Sequence, residues 1–299
     1  MTLEINNVTK RFGSFHAVDH LTLQIPPGEM FGMLGANGAG KTTTFRMLLG
    51  LLQPSEGTIT WAGEEITYQR TNVVGYLPEE RGLYPKLKVK DQLIYLGRLK
   101  GMEKKSILIE MEKWLEKFKV PDYANKRIEE LSKGNQQKIQ FIASVIHRPE
   151  LLILDEPFSG LDPVNVELLK EAVIELKQKG TTIVFSSHRM EHVEELCQHL
   201  CILHHGKLVV NGNLREIKRS FGKKNVVIQA DYDLSSLANQ VGVLKYHATA
   251  EGVRLQVQDE GVAKELFTHI AAKGYARKFE VEEPSLHDIF IEKVGTTYA

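Results

Sequence analysis

Gly35-Ala-Asn-Gly-Ala-Gly-Lys-Thr42 decides how the rest of this 299-residue chain is read. It fits G-x-x-x-x-G-K-[ST], a loop whose glycines let successive amide N–H groups point inward at phosphate oxygens. Lys41 adds a point charge for the outer phosphates, and the Thr42 hydroxyl is placed to hold Mg²⁺. The flanks agree. Met30-Phe-Gly-Met-Leu34 reads as a buried strand entering the loop, and Thr43-Thr-Phe-Arg-Met-Leu-Leu-Gly50 as a helix leaving it. That helix turns its N-terminus to the phosphates, where its dipole favours an anion. Gly35, Asn37, Gly38, Ala39, Gly40, Lys41, Thr42 and Thr43 are therefore the expected contacts to a nucleoside triphosphate.

Moving outward, Leu151-Leu-Ile-Leu154 is a short apolar strand ending in Asp155-Glu156. A buried parallel strand delivers its last side chains to the crevice at its carboxyl end. Two acids there are costly unless they bind metal or do chemistry, so Asp155 suits Mg²⁺ beside Thr42 and Glu156 suits polarising a water. Thr181-Thr-Ile-Val-Phe185 is a second such strand and closes on Ser186-Ser-His188, which brings His188 to the same edge. Between the loop and the acids, apolar residues from Val89 to Phe118 recur at helical spacing with a break at Gly101, and Lys138 to Ile146 is helical again. This predicts a helical insertion over about 85–145. Ser132 stands at its N-cap position before that last helix, and Gly134 allows close backbone approach.

The N-terminal runs 3–8 and 21–25, with turns at Phe12-Gly13-Ser14 and Pro26-Pro27-Gly28, predict an antiparallel β element. Near Ser220 the composition shifts. The order strand, helix over Leu234 to Val241, hairpin around Glu251-Gly252, helix, strand predicts a small ferredoxin-like α+β domain, closed by a short helix from Ser285 to Val294. The expected domains are 1–220 and 221–299. Cys197 and Cys201 read as packed core thiols, and two cysteines suit a reducing cytoplasm. Met1-Thr-Leu-Glu-Ile reads as a strand start rather than a signal peptide. Hydrophobic residues make up 42% and charged residues 25%, with zero formal net charge, so there is no bulk electrostatic case for nucleic acid. No apolar run reaches the roughly 18 residues that a membrane span needs.

Taken in order, these motifs resemble the ATP-binding subunit of an ABC transporter, over residues 3 to about 220. Leu131-Ser-Lys-Gly-Asn135 is similar to the ABC signature, Ser159-Gly-Leu-Asp162 to the D-loop, and His188 to the switch histidine. The resemblance implies an α/β, RecA-like ATPase core, with Phe12 stacking on adenine. It also implies a head-to-tail dimer, with a second copy or a close relative. There Ser132, Gly134 and Asp162 meet ATP held by the partner's loop. Two departures stand out: Glu79 occupies the place of the Q-loop glutamine, where a carboxylate could reach Mg²⁺, and Lys133 and Asn135 replace the commoner Gly and Gln. The second domain, with Glu283-Pro-Ser-Leu-His-Asp-Ile-Phe290, is similar to the C-terminal extension of a bacterial export branch that includes sodium-extrusion and drug-resistance ATPase subunits. The resemblance thus implies an ATPase at the cytoplasmic face of the plasma membrane, powering a separate polytopic permease in export. A soluble ABC ATPase on ribosomes or DNA, an importer ATPase with a regulatory domain, and a phosphate-loop kinase are the rival readings.

Overall fold

The computed structural model describes residues 1–67, 72–80 and 82–295. Arg81, inside the expected loop from Pro78 to Pro85, lies outside the described residues. The chain divides into two compact units, Met1–Asn211 and Gly212–Ala299.

In the first unit, strands β1 (Leu3–Phe12) and β2 (Phe15–Ile25) form a hairpin, followed by β3 (Met30–Leu34) and helix α1 (Lys41–Leu48). Strands β4 (Glu56–Trp61), β5 (Glu64–Glu65) and β6 (Val74–Leu77) come next, then helices α2 (Val89–Leu99), α3 (Lys104–Lys117) and α4 (Lys133–Val145). β7 (Leu151–Asp155), α5 (Pro163–Gln178), β8 (Thr182–Ser187), α6 (Met190–Leu196), β9 (His199–His204) and β10 (Lys207–Asn213) complete the series.

Two sheets result. One is antiparallel, in the order β2-β1-β4-β5, and the other runs β10-β9-β3-β8-β7-β6. In the second, β3, β6, β7, β8 and β9 pair in parallel. Every residue of β3, β7 and β8 is buried, as expected of parallel strands covered on both faces. Side chains from both sheets and from α1, among them Leu3, Ile5, Val8, Phe31, Met33, Phe45 and Leu48, share one core.

The insertion folds as expected, with α2 and α3 separated by Gly101 at φ +83°. Trp114 and Phe118 of α3 meet Phe141 of α4 in an aromatic trio with ring centroids 5.7–5.9 Å apart. Each such pair adds about 0.5–1.5 kcal/mol beyond simple burial, which fixes α4 and the Ser132 that caps it.

The second unit contains α7 (Leu214–Ser220), β11 (Lys224–Ala230), β12 (Val243–Thr249), β13 (Gly252–Val257), α8 (Glu260–Lys273), β14 (Ala276–Glu282) and α9 (Leu286–Val294). Its division from the first lies before Gly212, not after residue 220. The Asn213 side chain accepts from the amides of Arg215 and Glu216 at 3.0 and 3.4 Å, so α7 is started by residues of the second unit. The sheet order β12-β13-β11-β14 is that of a ferredoxin-like sheet, with Val226, Ile228, Leu255 and Val257 packed on Leu266 and Ile270 of α8. The helix expected over Leu234 to Val241 is corrected to a 3₁₀ turn, Ser235–Asn239. Only Leu234 and Leu237 are buried there, so a longer helix would have little apolar face to dock. Asp233 also accepts from the Ser235 amide and hydroxyl at 2.9 and 2.7 Å, a local bonding that competes with a helix.

Candidate active site

Strand register builds the site. Asp155 of β7 lies opposite Ser186 of β8, and Leu34 of β3 opposite Ser187. The three strands therefore end on one line, and Gly35, Glu156 and His188 emerge next to one another. A cavity of about 510 Å³ opens there, lined by the phosphate loop from Ala36 to Thr43 with Glu79, Asp155, Glu156, His188, Phe15 and Ala17.

The loop is held from behind. Gly206, in the turn joining β9 to β10, donates its amide to Ala39 O at 3.0 Å and accepts from Asp19 N at 2.9 Å. Gly40 has φ +106°, and a Cβ there would sit 2.5 Å from Ala17 O, so only glycine fits. Lys41 is buried and its Nζ donates to Gly35 O at 2.6 Å and Ala36 O at 3.2 Å. Burial pushes its pKa down, opposed by the charges of Glu156, Asp155 and Glu79.

On the opposite wall, Thr42 Oγ1 donates to Asp155 Oδ2 at 3.3 Å. Ser186 Oγ donates to Asp155 Oδ1 at 2.6 Å and accepts from Glu156 N at 3.0 Å. Glu156 is 8% exposed and its backbone is left-handed, φ +50°, uncommon for a residue with a Cβ. His188 Nδ1 lies 2.9 Å from Glu156 Oε2. Burial raises the Glu156 pKa, a tendency that His188 and Lys41 oppose and the Asp155 charge reinforces. Burial also pushes the Tyr76 phenol, behind the acids, up to about 12.

Magnesium fits this donor set. One hydroxyl and one carboxylate side by side, with Glu79 in the same cavity, are hard oxygen ligands that leave positions for phosphate oxygens and water. Among the described residues no group of three or more His, Cys, Asp or Glu could hold a metal ion by itself. Cys197 and Cys201 are buried free thiols, and burial raises the pKa of both.

Phe15, the partner of Phe12 across the β1–β2 hairpin, lines the cavity and Phe12 does not. The two residues are directly opposed and their rings share one face of the sheet, so the edge of the cavity passes between neighbouring aromatics. The Phe12 ring instead lies 5.3 Å from Lys10 Nζ. Ser132, Gly134 and Asp162 also stay outside the cavity. They form a second constellation. Ser132 caps α4 by accepting from Asn135 N at 3.4 Å, and Asp162 caps α5 by accepting from Asn165 N at 3.1 Å. A Cβ on Gly134 would sit 3.0 Å from Asn165 Nδ2, so the two helix starts touch. Sequence reasoning missed Phe15, Ser186 and the Gly206 brace. For Ser186 a signal existed, because a hydroxyl in a wholly buried strand must find a partner.

A phosphate loop and an acid pair on one parallel-sheet edge, with an antiparallel sheet and a helical insertion, define an ATPase cassette. Residues 18–159 match the ABC transporter family, and residues 212–294 match the C-terminal domain of DrrA1-3-like ATP-binding proteins. The chain is 76% identical over 267 residues to an uncharacterized ABC transporter ATP-binding protein of Alkalihalophilus pseudofirmus, covering 89% of this chain and 100% of that one. It is 34% identical over 297 residues to a Nod factor export ATP-binding protein I of Cupriavidus metallidurans, covering 98% and 97%. A solved ATP-binding subunit of an ABC transporter superposes with a TM-score of 0.70 at 30% identity, over 74% of this chain and 94% of that one. The chain belongs to the ABC transporter ATP-binding family and is an ATPase that powers a transporter.

Proposed function

We propose that this chain hydrolyses Mg²⁺-ATP at the loop of Gly35–Thr43 to drive a separate polytopic permease, in export, from the cytoplasmic face of the membrane. The observation that carries it is the convergence of Lys41, Thr42, Asp155, Glu156 and His188 on one cavity. Loop amides and Lys41 bind the β- and γ-phosphates, and Phe15, with Phe12 beside it, meets the adenine. Thr42, Asp155 and Glu79 hold Mg²⁺, which when bound neutralises charge on the phosphate oxygens. Glu156 accepts a proton from the attacking water, and its raised pKa makes it a better base at neutral pH. His188 holds the Glu156 carboxylate in place across their 2.9 Å contact.

Ser132, Gly134 and Asp162 meet the ATP of a second subunit, their own copy or a close relative, in a head-to-tail pair. Their position away from their own loop supports this. In this reading the permease is a separate chain; among the described residues of this one no helix is long and apolar enough to cross a membrane. Its docking surface is the loop from Glu79 to Pro85 with α2 and α3, where Tyr84, Leu87, Tyr95 and Leu99 are exposed. Kinship with a Nod factor export protein supports export over import.

Glu156→Gln tests the reading. ATP affinity should stay within about threefold, turnover should fall about 10²–10⁴-fold, and the protein should elute as an ATP-dependent dimer. Wild-type hydrolysis by this variant would remove Glu156 as the base.

A further inference from the structure

The second unit has a cavity of its own, about 340 Å³, that ATP chemistry does not use. Strand register creates it. Lys245 pairs with Gln256 and His247 with Arg254 across β12 and β13, and Gln256 pairs with Asn225 of β11. Because side chains alternate, Val253, Leu255 and Val257 pack in the core with α8 while Arg254 and Gln256 turn to the other face. There Lys245, His247, Arg254 and Gln256 line the cavity together with His287 and Asp288 at the start of α9.

Three observations give the cavity a chemistry. Gln256 is only 5% exposed, yet its carboxamide makes no hydrogen bond with any described residue, although it lines an open cavity. Facing the open cavity, that carboxamide is free to donate to an entering ligand. Lys245 is exposed and, although its charge helps to lower the Asp288 pKa, it makes no ion pair within 4 Å among the described residues. Arg254 pairs with Glu282 at 3.1 Å through one NH₂ group, which leaves N–H donors of its guanidinium for another acceptor. Asp288 is the only carboxylate among the described lining residues, and its Oδ2 already accepts from Ser285 N, Ser285 Oγ and Asn225 Nδ2 at 3.0, 2.6 and 2.9 Å. Two cations, two imidazoles and an idle amide thus face one committed acid.

We infer that this cavity binds a phosphate-type oxyanion. Arg254 presents its planar fork, Lys245 a point charge and Gln256 an N–H from the floor, which suits an anion with several oxygens better than a single carboxylate. The volume leaves room for an organic remainder. The shared chemistry has two sources, a lipid headgroup at the membrane or a soluble phosphate.

The test uses the full chain carrying Lys41→Ala, so that the nucleotide loop does not contribute. Inorganic phosphate is titrated in by calorimetry, and flotation is run with vesicles of phosphatidylglycerol and of phosphatidylcholine. Saturable phosphate binding that weakens at least tenfold with Lys245→Gln plus Arg254→Gln, and is retained with Lys245→Arg, supports the site. Flotation with phosphatidylglycerol alone, lost in the same double variant, assigns it to lipid. Phosphate binding without flotation assigns it to a soluble ligand. Binding to neither probe, or binding indifferent to the double variant, overturns the proposal. The thermal melt of each variant verifies folding, and both replaced side chains are exposed.

Discussion

Ser186→Ala removes one hydroxyl that serves both acids. Its Oγ donates to Asp155 Oδ1 at 2.6 Å and accepts from Glu156 N at 3.0 Å, at 0% exposure. Alanine leaves a buried amide without an acceptor and a buried carboxylate oxygen without a donor. An orphaned buried group costs about 1–3 kcal/mol, and a hydrogen bond to a charged group contributes about 1.5–3. The two losses share one atom and do not simply add, so we expect a net destabilisation of about 2–4 kcal/mol. The catalytic effect is separate. Without its amide anchor the Glu156 carboxylate loses position, and a misplacement of about 1 Å costs roughly 10²-fold in rate. Urea unfolding followed by circular dichroism measures the first effect, and steady-state phosphate release the second. ATP affinity, set largely by the loop and Lys41, should move by less than about threefold. A variant within about 0.5 kcal/mol of wild type and with full turnover would refute the assigned role of this hydroxyl.

Other predictions rest on equally specific contacts. Phe15→Ala should weaken ATP binding about tenfold, in keeping with about 1–3 kcal/mol per stacked base, and Phe12→Ala less; the reverse order in calorimetry would restore Phe12 as the adenine contact. Gly40→Ala should abolish nucleotide binding, because its Cβ would lie 2.5 Å from Ala17 O; retained binding would show that the loop shifts freely. Burial, aided by Lys100, pushes the His147 imidazole down to about 4, so the unfolded chain takes up this proton first as pH falls. Stability from the neutral histidine is therefore complete above about pH 6.5 and declines toward pH 4, by about 3 kcal/mol. His147→Gln should flatten the pH dependence of the unfolding midpoint across that window; an unchanged slope would reject the assignment.

The phosphate loop, the acids and His188 were legible because each is a local chemical demand: glycines where amides must converge, charges where a buried strand ends. Register brings them together, through pairs such as Asp155 with Ser186. The features that escaped the sequence depend on geometry between distant segments. Phe12 and Phe15 are directly opposed aromatics at one hairpin, and no local composition tells which of the two borders the cavity. The Gly206 brace needs its glycine, at φ +78° with a Cβ that would lie 2.9 Å from Ala17 O, but its hydrogen bonds join backbone groups of distant segments, which a local reading does not pair. At Leu234 to Val241 a helical pattern was present, but only two of its side chains reach the core.

Glu156 also sets a limit on the chain's stability, through its backbone. Its left-handed φ of +50° suits glycine or asparagine better than glutamate, a difference of order 1–2 kcal/mol. The residue that suits the chemistry is therefore not the one that suits the turn. Selection for heat resistance alone would drift this position toward glycine or asparagine and away from turnover. Keeping glutamate there requires selection on work done, so engineered stabilisation of this chain belongs at other positions.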